Sequence, residues 1–597
     1  MASERTLIES LRANADRAPD ALAMSWQPEL ARDAPEHLSQ AALWHTAARI
    51  ASGLARAPWP AGAPRMAILA FPPGLDFIRA FLGCLLAGVV AVPVTVPRRG
   101  RAAQVLEAIA ANCGSPLALT SASELQRLRE LFAQSPALSA VQLLPLELVE
   151  AAADPDDDPR PPAARELAFV QYTSGSSSRP KGVCVTHANL AANLALIQRE
   201  FGITPQHMFV NWLPHYHDMG LIGNLLTPIH CGIPSVSMAP AAFIKRPVRW
   251  LQAISAQDPQ RWVLSGGPNF AYQLCVDRIA EADLEGLSLA RWSPAYNGAE
   301  PVRVSTMSAF VERFSRLGFG KKQFLTCYGL AEATLFVTGA HDPEFISASG
   351  AGLEAGRIEA PDERRPEDAK PLSSSGLAHP ERIAIVDAQA RRRLPDGQVG
   401  EIWVTGPSVP LRYLNDPEQS RKTFEATLAG DSGGTRYLAT GDIGAVVDGR
   451  LFVTGRSKEL LIVNGRNLYP HDIEALLQTC DERVESAAVF AWNDPAAQCE
   501  TVVAVCELAR ASRHLLPAAA EEAPASELLR IAEAMRVAAA AAELAISHLR
   551  FVGPMGIART SSGKTAYGQL RSEFGALPGG IRRHPLSAQP RGGESQA

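Results

Sequence analysis

The stretch Leu167-Ala-Phe-Val-Gln-Tyr-Thr-Ser-Gly-Ser-Ser-Ser-Arg-Pro-Lys-Gly182 changes character at its middle, from an apolar run ending at Gln171 to a segment of small hydroxyl residues and glycine closed by Arg179, Pro180 and Lys181. The first part predicts a strand, the second a loop at its end, ahead of a helical stretch that begins near Asn189. Hydroxyls and glycine let backbone N–H groups and side chains crowd around phosphate oxygens, and Lys181 adds a point charge. The spacing is not that of a Walker A loop, which needs Gly directly before the lysine where Pro180 stands. Ser178-x-x-Lys181 also satisfies the S-x-x-K of penicillin-binding enzymes, but no S-D-N or K-T-G partner follows, since Lys564-Thr565 precedes Ala566. A Ser/Gly loop by itself is more often a plain connection, so its company decides.

Working outward, strand-like runs at 65–71, 117–120, 141–144 and 262–265 alternate with helix-length amphipathic stretches, which is an α/β pattern. Residues 80–96 are apolar enough to suggest a membrane span, yet Gly88 and Pro93 break them, so they read as a buried helix turning into a buried strand. Residues 154–162 (DPDDDPRPP) read as an exposed loop. The Gly/Ser/Pro-rich and charged segment 341–380 is too long for an ordinary connection and reads as an inserted element. Beyond it, Pro395-Asp396-Gly397 and Asp448-Gly449 lie between β-branched runs, the mark of hairpins in a region of short antiparallel strands. Residues 511–526 look like a surface loop, 527–549 have helical composition, and the Gly/Pro/Arg/Ser-rich end from 575 reads as a tail.

The 597 residues exceed one compact core, so several domains are expected. With 57 basic against 62 acidic residues, a net charge of −5 and no long run of one sign, nothing points to nucleic acid or an anionic membrane. Nine cysteines without C-x-x-C spacing favour neither zinc nor a disulfide framework and suit a reducing compartment. The N-terminal stretch lacks the apolar core of a secretion signal, so a cytoplasmic location is expected.

The loop's company arrives in order: Trp212-Leu-Pro-His-Tyr-His-Asp-Met-Gly220, Gly266-Gly-Pro-Asn-Phe-Ala-Tyr272, Asn297-Gly-Ala-Glu-Pro301, Tyr328-Gly-Leu-Ala-Glu-Ala-Thr-Leu335, Thr440-Gly-Asp442, Thr454-Gly-Arg-Ser-Lys-Glu459 and Arg559-Thr-Ser-Ser-Gly-Lys564. Together these resemble the acyl-adenylating superfamily of acyl-CoA ligases, peptide-synthetase adenylation domains and luciferases, and within it the fatty acyl-AMP ligase branch, almost from end to end.

The resemblance implies a layered α/β N-terminal domain with a small β-barrel-like subdomain over 1–456, a mobile α+β C-terminal domain over 457–575, and a flexible tail over 576–597. It implies ATP and Mg²⁺ as cofactors. Thr173, Ser174, Gly175, Ser176, Ser177, Ser178 and Lys181 would face the ATP phosphates. Asn297, Gly298, Ala299 and Glu300 would line the adenine site with Tyr328 and Gly329, an aromatic face offering stacking. Glu332 would hold Mg²⁺, a hard cation that prefers carboxylate oxygen. Asp442 would accept from the ribose hydroxyls with Arg456 donating nearby. Trp212, His217, Asp218, Asn269 and Phe270 would line the acyl site, with His217 near the reacting carboxylate. Lys564 would reach the carboxylate and α-phosphate, where negative charge builds in the transition state, and Lys458 would be the hinge.

Each of these residues has an ordinary reading too: Tyr328 as core, Glu332 and Lys564 as solvated side chains, Asp442 and Arg456 as a surface ion pair. His215, His217 and Asp218 could form half a metal site, but no further ligand set at metal spacing accompanies them. Departures from the branch are Ser177 where Thr is usual, Arg412 where Gly often stands, and Thr565-Ala566-Tyr567-Gly568 after the lysine. The expected reaction is activation of a fatty acid as acyl-AMP, then transfer to the phosphopantetheine thiol of an acyl carrier protein or a carrier domain of a polyketide or nonribosomal peptide system. The alternatives are a fatty acyl-CoA ligase and a catalytically silent acyl- or nucleotide-binding homologue.

Overall fold

The computed structural model describes residues 4–29, 34–97, 101–173, 180–431, 433–463, 466–494, 499–516, 525–541, 544–559, 564–576 and 580–582. These fall into two compact units, one running to Thr454 and the other from Gly455.

The first unit is built on two large sheets. The six-stranded sheet runs, edge to edge, Gln142–Pro145, Leu117–Thr120, Met66–Ala70, Val90–Val94, Leu167–Thr173 and Lys181–Thr186. All but the last, antiparallel, strand run parallel. Met66-Ala-Ile-Leu-Ala is buried at every position, as a strand covered on both faces must be. Helix Leu75–Leu86 precedes Val90–Val94 through Gly88, whose φ of 64° makes the turn, so the apolar run at 80–96 is core. No helix of the described residues is long and apolar enough to cross a membrane.

The eight-stranded sheet runs Phe336–His341, Phe324–Gly329, Trp292–Asn297, Trp262–Gly267, His207–Asn211, Ser235–Ser237, Leu22–Trp26 and Glu36–Ser39, and its six inner strands are parallel. From His207–Asn211 the chain steps to Ser235–Ser237 on one side, then crosses back to Trp262–Gly267 on the other. Such a reversal opens a crevice outside the carboxyl ends of the strands. Buried Ser265 ties these strands together: its hydroxyl donates to the Val210 carbonyl (2.6 Å) and accepts from the Trp250 indole N–H (2.7 Å), while Trp292 Nε1 donates to its carbonyl (2.9 Å). Trp250, Tyr272, Trp292, Phe310 and Phe324 pack edge to face behind it, each indole with its polar handle satisfied.

The expected β-barrel-like subdomain is corrected to an open sheet. Its five strands run Arg392–Arg393, Ile383–Asp387, Gly400–Val404, Leu438–Val447 and Arg450–Arg456, with no pairing between the outer two among the described residues. Its first edge is two residues long, too short a ladder to close a barrel. Asp448 and Gly449 form the expected tight turn, both with positive φ (49° and 72°). The turn at 395–397 does not join paired strands, because Arg392–Arg393 and Gly400–Val404 lie on opposite sides of Ile383–Asp387. The segment at 341–380 is ordered. Phe345–Ser349 and Ala369–Ser373 pair antiparallel, and Asp368 accepts from the Ser349 hydroxyl (2.9 Å) and the Ala351 N–H (3.2 Å) at the start of the short helix Gly350–Glu354.

The second unit carries a sheet ordered Val484–Asp494, Cys499–Leu508, Ile546–Val552 and Gly580–Arg582, with helices Pro470–Thr479 and Ser526–Ala541 packed through Leu477, Val489, Leu528, Met535 and Leu549. Helical composition at 527–549 misleads at its end: the helix stops at Ala541, and Ile546–Val552 is a strand parallel to Cys499–Leu508. Its β-branched and aromatic residues fill the sheet's core, so packing overrides composition.

Buried histidines of the first unit make its stability pH-dependent. Burial lowers His187 and His230 to about 4, and it is the main cause that lowers His215 to about 3. The unfolded chain, with imidazoles near ~6.5, takes up these protons first. Stability is therefore complete above the unfolded value and is lost as pH falls from there toward the folded values, by roughly 1–2 kcal/mol per histidine at pH 5. The urea midpoint should fall between pH 7 and pH 5, and His187→Gln should flatten that dependence. A pH-independent midpoint would show that the imidazoles stay solvated.

Candidate active site

Four of the motifs end parallel strands on one edge of the eight-stranded sheet. Asn211-Trp212, Gly266-Gly267, Asn297-Gly298 and Tyr328-Gly329 lie at carboxyl ends, with Gly267 in register with Asn297 and Asn297 with Thr326. The glycines permit close approach: a Cβ on Gly267 would stand 2.7 Å from Trp212 Cζ2, and one on Gly298 would stand 2.6 Å from Cys327 Sγ. Ala299 follows with a φ of 67°, strained for a residue with a side chain and of the kind found where a backbone is shaped for a ligand.

Tyr328, almost buried, donates its hydroxyl to Asp442 Oδ2 at 2.7 Å. The residues expected at adenine and ribose are thus joined across 114 positions of sequence. Asn297 Nδ2 reaches Asn269 Oδ1 (3.4 Å), which also accepts from the Arg303 N–H (3.0 Å), so the expected adenine and acyl linings share one polar network. The Glu300 carboxylate accepts from the Phe270 N–H (2.6 Å) and holds the start of helix Asn269–Arg278.

Among the expected acyl residues, Trp212 is buried against Phe243 (ring centroids 4.0 Å apart) with Phe270 edge-on at 6.3 Å. Asp218 accepts from the Met219 N–H (2.8 Å) at the head of a π-helix, Met219–Leu226, a form that recurs at functional sites. His217 lies beside the Tyr216 ring at 4.8 Å, and His215 packs on Phe77 at 4.1 Å. Burial keeps His215 neutral, and the described residues hold no cluster of three or more metal-ligating side chains. His215, His217 and Asp218 are thus not brought together as a set of three ligands.

Thr173 and Lys181 are register partners on the two strands that flank the Ser/Gly loop. The loop's Ser174, Gly175, Ser176, Ser177 and Ser178 lie outside the described residues. The Thr173 hydroxyl is buried with no hydrogen-bond partner among the described residues, as suits an atom at the mouth of a phosphate cradle. Glu332, half-buried in the 3₁₀ turn Ala331–Ala333 that follows the strand ending at Gly329, accepts from the Tyr413 hydroxyl at 2.8 Å. The Lys181 ammonium stands over the same Tyr413 ring, 5.2 Å from its centroid. Tyr413, next to Arg412, is not legible from the sequence as a member of the site. Its only signal was an aromatic residue ahead of Asn415-Asp416-Pro417.

The second unit holds Arg456, Lys458 and Lys564. Arg456 ends a strand, exposed, and Lys458 is exposed in the turn after it. Lys564 is half-buried beside the bridge between Arg559 and Thr565, which the Ala566 N–H to Ala558 carbonyl bond (2.8 Å) reinforces. The departures after the lysine have a local reason: Tyr567 donates to Glu474 Oε1 at 2.6 Å and anchors the returning chain to helix Pro470–Thr479.

Residues 11–414 match the family model described as AMP-binding enzyme. The chain is 34% identical to the medium-chain-fatty-acid–[acyl-carrier-protein] ligase of Teredinibacter turnerae, over 95% of this chain and 93% of the relative. It is 36% identical to the long-chain-fatty-acid–AMP ligase of Mycolicibacterium smegmatis, over 73% and 71% of the two chains. The crystal structure of a fatty acid AMP ligase from Legionella pneumophila is similar with a TM-score of 0.70 and 31% identity, covering 97% of this chain and 98% of that one.

Proposed function

We propose, for a chain that belongs to the AMP-binding enzyme family, that it activates a fatty acid with ATP as an acyl-AMP and passes the acyl group to the phosphopantetheine thiol of an acyl carrier protein. The observation that carries this reading is the pairing of groups drawn from three sheets: Tyr328 with Asp442, and Glu332 with Lys181 through Tyr413. A nucleotide needs its base, ribose and phosphates gripped at once, and the contacts between residues that the motif resemblance assigns to those three roles support this reading. Relatives named for fatty acids, for AMP ligation and for acyl carrier protein support the substrate and acceptor.

In this reading the fatty acid carboxylate attacks the α-phosphorus in line. The new bond joins carboxylate oxygen to phosphorus, and the bond to the bridging oxygen breaks to release pyrophosphate. Tyr328 and Asp442 fix the adenosine end, while Thr173 and Lys181 meet the phosphates. Glu332 suits magnesium: one carboxylate oxygen is held by Tyr413, and the other would supply the oxygen ligand that a hard cation prefers. When bound, the ion would draw negative charge from the phosphates. Lys564 would enter with the C-terminal domain and stabilise charge growing on the α-phosphate. Thiolate attack on the acyl carbon then forms a thioester and expels AMP.

The ordered segment at 341–380 supports a carrier protein rather than free CoA as acceptor, if it restricts the rearrangement that CoA use needs. A panel of carboxylic acids scored by ATP–pyrophosphate exchange, followed by holo carrier protein and CoA offered side by side, tests the assignment. Fatty acids should drive exchange, and the carrier should be loaded while acyl-AMP persists in the presence of CoA. Efficient acyl-CoA formation would select a CoA ligase, and absence of any acid-dependent exchange would leave a silent homologue.

A further inference from the structure

We infer that Tyr413 is a positioning residue that couples the metal-facing carboxylate of Glu332 to the phosphate-facing ammonium of Lys181. The inference rests on the reading of those two residues given above and adds the group that sets them relative to each other. Three observations carry it. The Tyr413 hydroxyl donates to Glu332 Oε1 at 2.8 Å, and its ring lies under Lys181 Nζ at 5.2 Å, so one rigid side chain touches both charges. Its backbone is tied to the strand that begins at Lys181: Val183 bridges to Tyr413, the Leu414 N–H donates to the Gly182 carbonyl (2.7 Å), and the Cys184 N–H donates to the Arg412 carbonyl (3.1 Å). The ring is held by Phe424 at 5.0 Å, and the Tyr413 N–H by the Ser420 hydroxyl at 2.9 Å.

The ring therefore has little freedom to follow Glu332 or Lys181. They are placed by it. A donor on one carboxylate oxygen fixes the plane of the other, which is how groups behind a metal ligand tune metal affinity. The contact with Lys181 has a separate physical basis, the attraction of a cation to an aromatic face. The two arms can be cut one at a time. Neither arm uses the Arg412 side chain, which meets Cys184 on that strand while its carbonyl accepts from the Cys184 N–H.

The test is binding rather than turnover: Mn²⁺ affinity by electron paramagnetic resonance with a non-hydrolysable ATP analogue present, and affinity for the analogue alone by calorimetry. Wild type, Tyr413→Phe, Tyr413→Leu and Glu332→Gln are compared in the full chain, with thermal unfolding as the check of folding. Tyr413→Phe keeps the ring and loses the hydroxyl. It should weaken Mn²⁺ about tenfold, as loss of a group behind a metal ligand does, and leave metal-free analogue binding unchanged. Tyr413→Leu should weaken metal-free analogue binding as well, by about threefold. Adding Tyr413→Phe to Glu332→Gln should cost no further Mn²⁺ affinity. Normal Mn²⁺ binding by Tyr413→Phe alongside weakened binding by Glu332→Gln would overturn the role of Tyr413 and leave Glu332 as the metal carboxylate. Normal binding by Glu332→Gln would instead remove the reading beneath it, and this inference with it.

Discussion

Lys564→Ala should bind ATP as the parent does yet form acyl-AMP about 10²-fold more slowly or worse, the usual loss when one stabiliser of transition-state charge is removed. The ground state carries its charge on the carboxylate and the outer phosphates. As the new P–O bond forms, charge moves onto the non-bridging oxygens of the α-phosphate, so a cation there lowers the barrier more than it tightens binding. The lysine is placed for delivery by a local device. The Arg559–Thr565 bridge and the Ala566 to Ala558 bond hold the chain beside Lys564, and Tyr567 anchors the chain that follows. Single-turnover acyl-AMP formation and equilibrium ATP binding, measured on the same preparation, separate the two effects. Adenylation at the parental rate would remove Lys564 from the chemistry.

Lys458→Pro should split the two half-reactions, with adenylation kept within roughly tenfold and carrier acylation from preformed acyl-AMP falling well beyond that, or the reverse. One site must present Lys564 and then make room for a thiol, and such a rotation concentrates its φ/ψ change on a few junction residues. Lys458 lies in the exposed turn just after the division at Thr454 and Gly455. The turn is closed by the Glu459 and Leu460 N–H groups, both donating to the Arg456 carbonyl (3.0 Å), and the Lys458 carbonyl accepts from Arg571 Nη2 (3.3 Å). Proline at 458 keeps every one of these acceptors and donors but fixes φ near roughly −65° and restricts Ser457. It should trap an arrangement without unfolding the turn. Equal losses in both steps on folded protein would reject the hinge and make Lys458 an ordinary surface residue.

Much of the site was legible because parallel strands leave a local trace. The apolar runs at 262–265 and before Tyr172 end in glycine or hydroxyl residues, so a strand reading already sets each motif at a carboxyl end, and the sheet then gathers them on one edge. The length of 341–380 likewise marks it in the sequence as more than a connection, and its strands Phe345–Ser349 and Ala369–Ser373 pair because a chain cannot leave so many backbone groups without partners in a compact domain. Composition failed where two structures share residue types. Alanine-rich helix runs into Ile546–Val552 without a break in hydrophobicity, and the neighbouring strand Cys499–Leu508 decides which half becomes sheet.

What the sequence determined by itself is the α/β class, the order of the motifs and their positions at strand ends, all of which follow from periodicity and turn chemistry over short spans. The tertiary structure alone decided that the five-stranded sheet stays open, that Tyr328 meets Asp442, and that Tyr413 stands between Glu332 and Lys181. Tyr413 lies 81 residues from Glu332. A contact across such a span is made by the docking of whole strands, each stabilised by its own burial, and a single hydrogen bond or ring contact is too small a part of that energy to shape the pattern of residues around it.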